Sequence, residues 1–270
     1  MGLHQPSRRT TRQDRANLSA GSLGSFGFAV EAAIGRRPMR YLIGRRFTGD
    51  TALTCLFVTQ PETLAGTHVR ISEDRRRGAC EVQTYVPTMR CSLRLAERYL
   101  FGCLPLTEVG YLDLMAWRYP GLGSTPEDRD SDLSWSGWPG AEAYCFLGPA
   151  STPGLTVTEA VDPASGIVVA RAVDRRREPE RRWEVVELGD PSVTGLPRLI
   201  RAGRPGRGSP DAGCARAGVS GGERPGAERW TDFRRVGEPA AVPAADFDGG
   251  PQRLREALEH RFPARPDGPA

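Results

Sequence analysis

The chain has 270 residues, 39% of them hydrophobic, with a mean hydropathy of −0.43, enough for one sizeable core in a globular protein. Its net charge of +4 and pI of about 8.9 raise the question of a nucleic-acid partner, but all 37 basic residues are arginine and the 33 acidic residues are interleaved with them. Such mixing makes solvated faces rather than a phosphate-tracking stripe, so no nucleic-acid partner is expected. No apolar run reaches the 18 or more residues of a membrane-spanning helix, so no transmembrane segment is expected either.

Arginine without lysine, and Asn17 as the lone asparagine, are what a very GC-rich genome would produce. Residues 1–37 read as a disordered leader or a weak export signal. Ser7, Arg8 and Arg9 precede the weakly apolar stretch from Ala20 to Val30, although Glu31 interrupts it and no cleavage site follows. The folded part is expected to open near Met39.

Strand-like runs follow at Arg40–Phe47, Ala52–Thr59, Thr67–Ser72, Cys80–Val86 and Met89–Leu95. In the last, Met89, Cys91, Leu93 and Leu95 alternate with Arg90, Ser92 and Arg94, the period of a half-buried antiparallel strand. Thr107–Trp117 suits a short amphipathic helix interrupted by Gly110. Tyr119–Gly140 is a long Pro/Gly/Asp/Ser connection carrying Trp135 and Trp138. Further strands are expected at Ala143–Leu147, Leu155–Val161, Ile167–Val173, Arg182–Leu188, Pro197–Arg201 and Trp230–Val236, with Asp162–Gly166 as a hairpin turn. Gly203–Arg229 is low-complexity and reads as a flexible insertion. Pro251–His260 is a helix, with Pro251 in its first turn and Leu254 and Leu258 one turn apart. About ten antiparallel strands are therefore expected, in a single domain spanning 38–262, with residues 263–270 as a tail.

Chemistry-bearing motifs are sparse. Cys55, Cys80, Cys91, Cys103, Cys145 and Cys214 form no CxxC, and His4, His68 and His260 add no zinc spacing, so neither metal nor cofactor is expected. Thiols among apolar residues behave as small hydrophobes. Cys80 and Cys91 would share a face of the expected hairpin and could pair in an oxidising compartment. Gly218–Gly222 fits a nucleophile-elbow pattern but lacks the strand and helix that would expose its serine. Asn17 opens a formal glycosylation sequon in the leader. Glu108, Asp113 and His68 are the acid/base candidates, each weighed against an ordinary surface or strand role. The arginines at 75–77, 175–177 and 181–182 are read as solvated turn tips, with contact to anionic head groups as the sharper reading.

The runs PETLAGTHVRI, TYVPTMR and FGCLPLTEVGYLDLMAW resemble the outer-membrane lipoprotein-sorting (LolA/LolB-like) superfamily. The positions carrying the resemblance are Pro61, Gly66, Thr67, Tyr85, Pro87, Arg90, Gly102, Tyr111, Asp113 and Leu114, over a stretch of about 39–250. The resemblance implies an α+β fold: a curved, mostly antiparallel β half-barrel with capping helices, enclosing an apolar cavity. It further implies a non-enzymatic carrier or receptor, with a lipid, another hydrophobic ligand or a lipidated protein as partner, in the cell envelope. Departures are the Tyr-Val-Pro strand, the arginine-rich insertion, and the want of a clear signal peptide or lipobox cysteine.

Physics alone also allows a cavity, because a strongly twisted sheet of this size curls. Each buried methylene gains about 0.8 kcal/mol, so a long acyl chain gains on the order of 10 kcal/mol before association costs. Leu56, Val58, Val82, Met89, Leu93, Leu104, Leu112 and Met115 are the candidate lining residues; the alternative is that they fill a solid core. An enzyme acting on a hydrophobic metabolite, and an interaction module docking through the Trp135/Trp138 loop, are the competing functional classes.

Overall fold

The structure is a computed structural model that describes residues 23–35, 37–104, 107–123, 137–189, 196–204 and 229–264. Asn17, the paired arginines of the leader, Trp135, Cys214, the Gly218–Gly222 motif and most of the insertion lie outside the described residues.

Twelve strands form one antiparallel sheet: β1 (Ser25–Ile34), β2 (Arg37–Thr48), β3 (Thr51–Gln60), β4 (His68–Asp74), β5 (Ala79–Val86), β6 (Cys91–Arg94), β7 (Glu142–Leu147), β8 (Leu155–Val161), β9 (Val168–Arg175), β10 (Glu178–Glu187), β11 (Leu199–Arg204) and β12 (Arg229–Ala241). Their spatial order is β6-β5-β4-β3-β2-β1-β12-β11-β10-β9-β8-β7. Two six-stranded meanders thus join through the β1–β12 pair, leaving β6 and β7 as free edges. Described parts of the chain between those edges lie across the open side of the curled sheet. This crossing creates the site.

The period of two explains the strands and their two faces. Met39, Tyr41 and Ile43 of β2 point into the concave core, whereas Leu42 and Gly44 point to the convex side. The convex face of β1–β3 is covered by α2 (Ala244–Asp248) and α3 (Gly250–Arg261), whose Phe247, Leu254 and Leu258 pack on Ala29, Leu42, Cys55 and Phe57. Gly27 and Gly44 are direct partners in the β1–β2 ladder, and a side chain on Gly27 would strike Leu258. The pair gives α3 its seat.

Four expectations need correction. The fold begins at Ser25, inside the stretch read as leader, because Phe26, Phe28, Val30 and Ala32 alternate into the core around Glu31. Met89–Leu95 is not a half-buried strand. Pro87–Met89 forms a 3-10 turn, Arg90 adopts φ 52°, and only the short, wholly exposed β6 follows. The proposed helix at 107–117 shrinks to α1, Tyr111–Leu114. Arg181 and Arg182 are buried within β10 rather than solvated at a turn. As for the cysteine pair, register places Cys80 opposite Glu73 and Cys91 opposite Val86, and both thiols are free.

Candidate functional site

The site is the concave face together with the described parts of the segment that crosses it, Leu95–Leu104 and Thr107–Gly123, here termed the strap. Leu100, Phe101, Leu104, Val109, Leu112, Leu114 and Met115 of the strap are buried in the same core as the inward residues of the sheet. Between the strap and the central strands remains a cavity of about 50 Å³, lined mainly by Phe28, Tyr41, Ile43, Leu56, Leu104, Val109, Leu114 and Phe233. Ligand pockets usually hold about 300–1,000 Å³, so with the strap seated this cavity, as the described residues shape it, accepts no long chain. Tyr41 reaches this cavity with a buried hydroxyl that has no hydrogen-bond partner among the described residues, and burial raises its pKa, keeping the phenol a donor.

Charged groups pin the strap from both halves of the sheet. On one side, Arg171 Nη1 donates to Asp113 Oδ1 at 2.6 Å, and its Nε and Nη2 donate to Glu159 Oε1 at 3.1 and 2.9 Å. Arg181 Nη1 donates to the other oxygen of Asp113, which also accepts the Gly110 N–H at 2.7 Å. All four side chains are at most 3% exposed. Burial opposes the Arg171 charge, but Glu159 and Asp113 outweigh it and hold its pKa above the usual value. Gly110, which interrupts the expected helix, lies against the Arg181 guanidinium, where any side chain would collide.

On the other side, Arg45 Nη2 donates to the Leu114 carbonyl and its Nε to Thr54 Oγ1 at 2.8 Å. Glu73 accepts the N–H groups of Ala116 at 2.7 Å and Trp117 at 3.1 Å. Burial pulls the Arg45 guanidinium down to about 10 and pushes Glu73 up, each charge partly relieving the other. These bonds also explain the short helix: backbone groups on which a longer α1 would depend are bonded to side chains of the sheet instead.

The candidate lining residues divide. Leu56 and Leu104 line the cavity, and Val58, Val82, Leu112 and Met115 are buried in the surrounding core. Met89 and Leu93 are 51% and 40% exposed, at and beside the β6 edge. The positions behind the family resemblance scatter. Pro61 follows a cis peptide at the end of β3, and Thr67 is buried. Gly66, at φ 89°, packs close to Pro87; Arg90 closes the 3-10 turn; Gly102, Tyr111 and Asp113 belong to the strap. Tyr85 stacks on His68 at 5.0 Å between ring centroids.

Nor are the acid/base candidates assembled. Both oxygens of Asp113 are engaged by arginine, and Glu108 pairs with Arg204 at 3.1 Å. His68 packs against Phe57, a convex-face residue, and burial lowers its pKa. Trp138 donates through Nε1 to the Val185 carbonyl at 2.7 Å. Reading the sequence missed Phe28 as leader and Arg171 altogether, and placed Arg181 at a solvated turn. The usable signal was charge at inward positions: Val157, Glu159, Val161 on β8 and Val169, Arg171, Val173 on β9, with Glu159 and Arg171 opposite in register.

No protein-family model matches the sequence, and no curated protein does. Solved structures match throughout the fold. A Vibrio parahaemolyticus protein described as an outer membrane lipoprotein-sorting protein domain shares 11% identity at a TM-score of 0.58, over 85% of this chain and 91% of its own. A DUF1329 family protein from Desulfovibrio piger shares 11% identity at 0.55, covering 83% and 88%. A LolA superfamily protein from Nitrosomonas europaea shares 11% at 0.51, covering 89% and 96%. At that identity the likeness is one of fold, and the fold is the LolA-like curved half-barrel with a helical cap.

Proposed function

We propose that the chain is a non-enzymatic binding or carrier protein for a lipid, a lipoprotein acyl chain or another long hydrophobic ligand. One observation carries this reading: among the described residues the apolar concave face is covered by a crossing strap, not by a second sheet, and buried polar contacts as well as apolar side chains set the strap's place. Lifting the strap would bare Phe28, Tyr41, Ile43, Leu56 and Phe233 as a continuous apolar trough. A hydrophobic ligand would then replace the strap's own apolar side chains, and Tyr41 would supply one hydrogen bond. The similarity of fold to a lipoprotein-sorting domain supports the same reading.

The filled interior also favours a second reading, an interaction module with a solid core. Native mass spectrometry of the purified chain, followed by titration with a fluorescent fatty acid, separates the two. The carrier reading expects co-purified lipid or saturable one-to-one binding. A chain that is empty and ignores every hydrophobic probe is a solid-core module.

A further inference from the structure

A second hollow, of about 700 Å³, lies beside the strap, where it passes the loops joining β7 to β8 and β9 to β10. Its volume falls within the roughly 300–1,000 Å³ of ordinary ligand sites. Leu95, Phe101, Tyr111 and Pro153 give it apolar walls. Its charged lining is one-sided, with Arg98, Arg175 and Arg176 against the single carboxylate of Glu180.

That carboxylate is already engaged by Arg175, at 2.5 Å from Nε and 3.4 Å from Nη2. Neighbouring Glu97 is occupied too, accepting from the hydroxyls of Tyr119 and Ser151 at 2.6 Å each. Arg98 lies 4.8 Å over the Tyr99 ring. Neither Arg98 nor Arg176 has a carboxylate partner among the described residues, and both are exposed. Arg176 is also fixed in place, with φ at 52° and its N–H on the Gly154 carbonyl at 2.6 Å. A left-handed turn favours Asn or Gly, yet this one presents arginine.

We propose that this groove binds the anionic head of an amphiphile, a phosphate or carboxylate at the Arg98 and Arg176 rim, with the adjoining apolar chain along Leu95, Tyr99 and Pro153. The proposal rests on the hydrophobic-ligand reading above and adds the charge of the head group. It requires no movement of the strap, since the groove is open while the interior is filled. Guanidinium forks suit planar or tetrahedral oxyanions, and the exposed setting makes the attraction sensitive to salt.

Calorimetric titration of the full chain tests it, using dodecyl phosphate, neutral dodecyl maltoside and inorganic phosphate as probes. Dodecyl phosphate is expected to bind about ten-fold or more tightly than either of the others, and to lose about ten-fold in the double variant Arg98→Gln/Arg176→Asn. Both side chains are exposed and Asn suits the left-handed turn, so the variant should unfold at the wild-type urea midpoint. Equal binding of the maltoside and the phosphate ester, unchanged in the variant, overturns the head-group site while leaving the carrier reading standing. Inorganic phosphate binding as tightly as dodecyl phosphate makes it a free-anion site and overturns the amphiphile. Failure of both amphiphiles to bind overturns this proposal, and the native mass spectrum and fatty-acid titration then decide the carrier reading separately.

Discussion

The two faces of the sheet are covered in opposite ways. On the convex side α3 is seated by Leu254 and Leu258 over the Gly27–Gly44 pair, and the ion pairs around it, such as Arg46–Asp248 at 2.7 Å, reach solvent. On the concave side the strap also buries apolar residues, but its position is fixed by Asp113, Arg171, Arg181, Arg45 and Glu73, all buried. Apolar packing is non-directional and tolerates small shifts. A buried charge network holds one geometry and becomes costly when one member is removed. The convex cover therefore resembles permanent core, and the concave cover a latch.

Removing one member of the latch tests the contrast most severely. Asp113→Ala leaves Arg171 with only Glu159, and Arg181 with no carboxylate partner among the described residues, and should cost about 3–5 kcal/mol in urea unfolding. A loss below about 1 kcal/mol would erase the distinction between the faces. Replacing Asp113, Glu159, Arg171 and Arg181 together by apolar residues of similar volume should cost less than that single change, since no charge is then left alone. On the other face, Leu258→Ala should cost about 2–5 kcal/mol from lost burial and the cavity left behind, with the same loss at every pH.

The pH dependence sharpens the comparison further. The Glu73 carboxyl titrates above its unfolded value of 4.5 because burial disfavours its charge. The native state therefore holds more protons in that window, and stability from this group falls as pH rises through it. Glu73→Gln should flatten that part of the stability-against-pH curve measured by urea denaturation; an unchanged slope would remove Glu73 from the latch. Smallest of all, Arg46→Ala on the convex side should change stability by about 0.2–1 kcal/mol and less at high salt, since the side chain of its partner Asp248 is 66% exposed.

Much of the sheet could be read from alternation, because the period of two is set by backbone geometry and survives without knowledge of neighbours. β2, β3, β5, β8 and α3 fall close to their expected bounds. β1 was missed because Glu31 looked like a break in an apolar run, when it is the outward half of an alternating one. Met89 and Leu93 were placed inward by the same rule, but an edge strand has a partner on one side only, and here neither face of β6 is covered. The lining of the cavity was half legible: Leu56 and Leu104 came from hydrophobicity, whereas Tyr41 and Phe233 depend on how far the sheet curls.

Local pattern thus determined most of the strands, though not β1 or the extent of β6, that they run antiparallel, and that chemistry-bearing motifs are few. Only the tertiary structure decided that β1 pairs with β12, that a strap lies across the open side between the two free edges, and that arginines 68 and 58 residues from Asp113 close on it. Alternation is encoded within a few residues. Charge pairing across the sheet depends on which strands meet, and that is settled only when the whole chain buries its apolar faces at once.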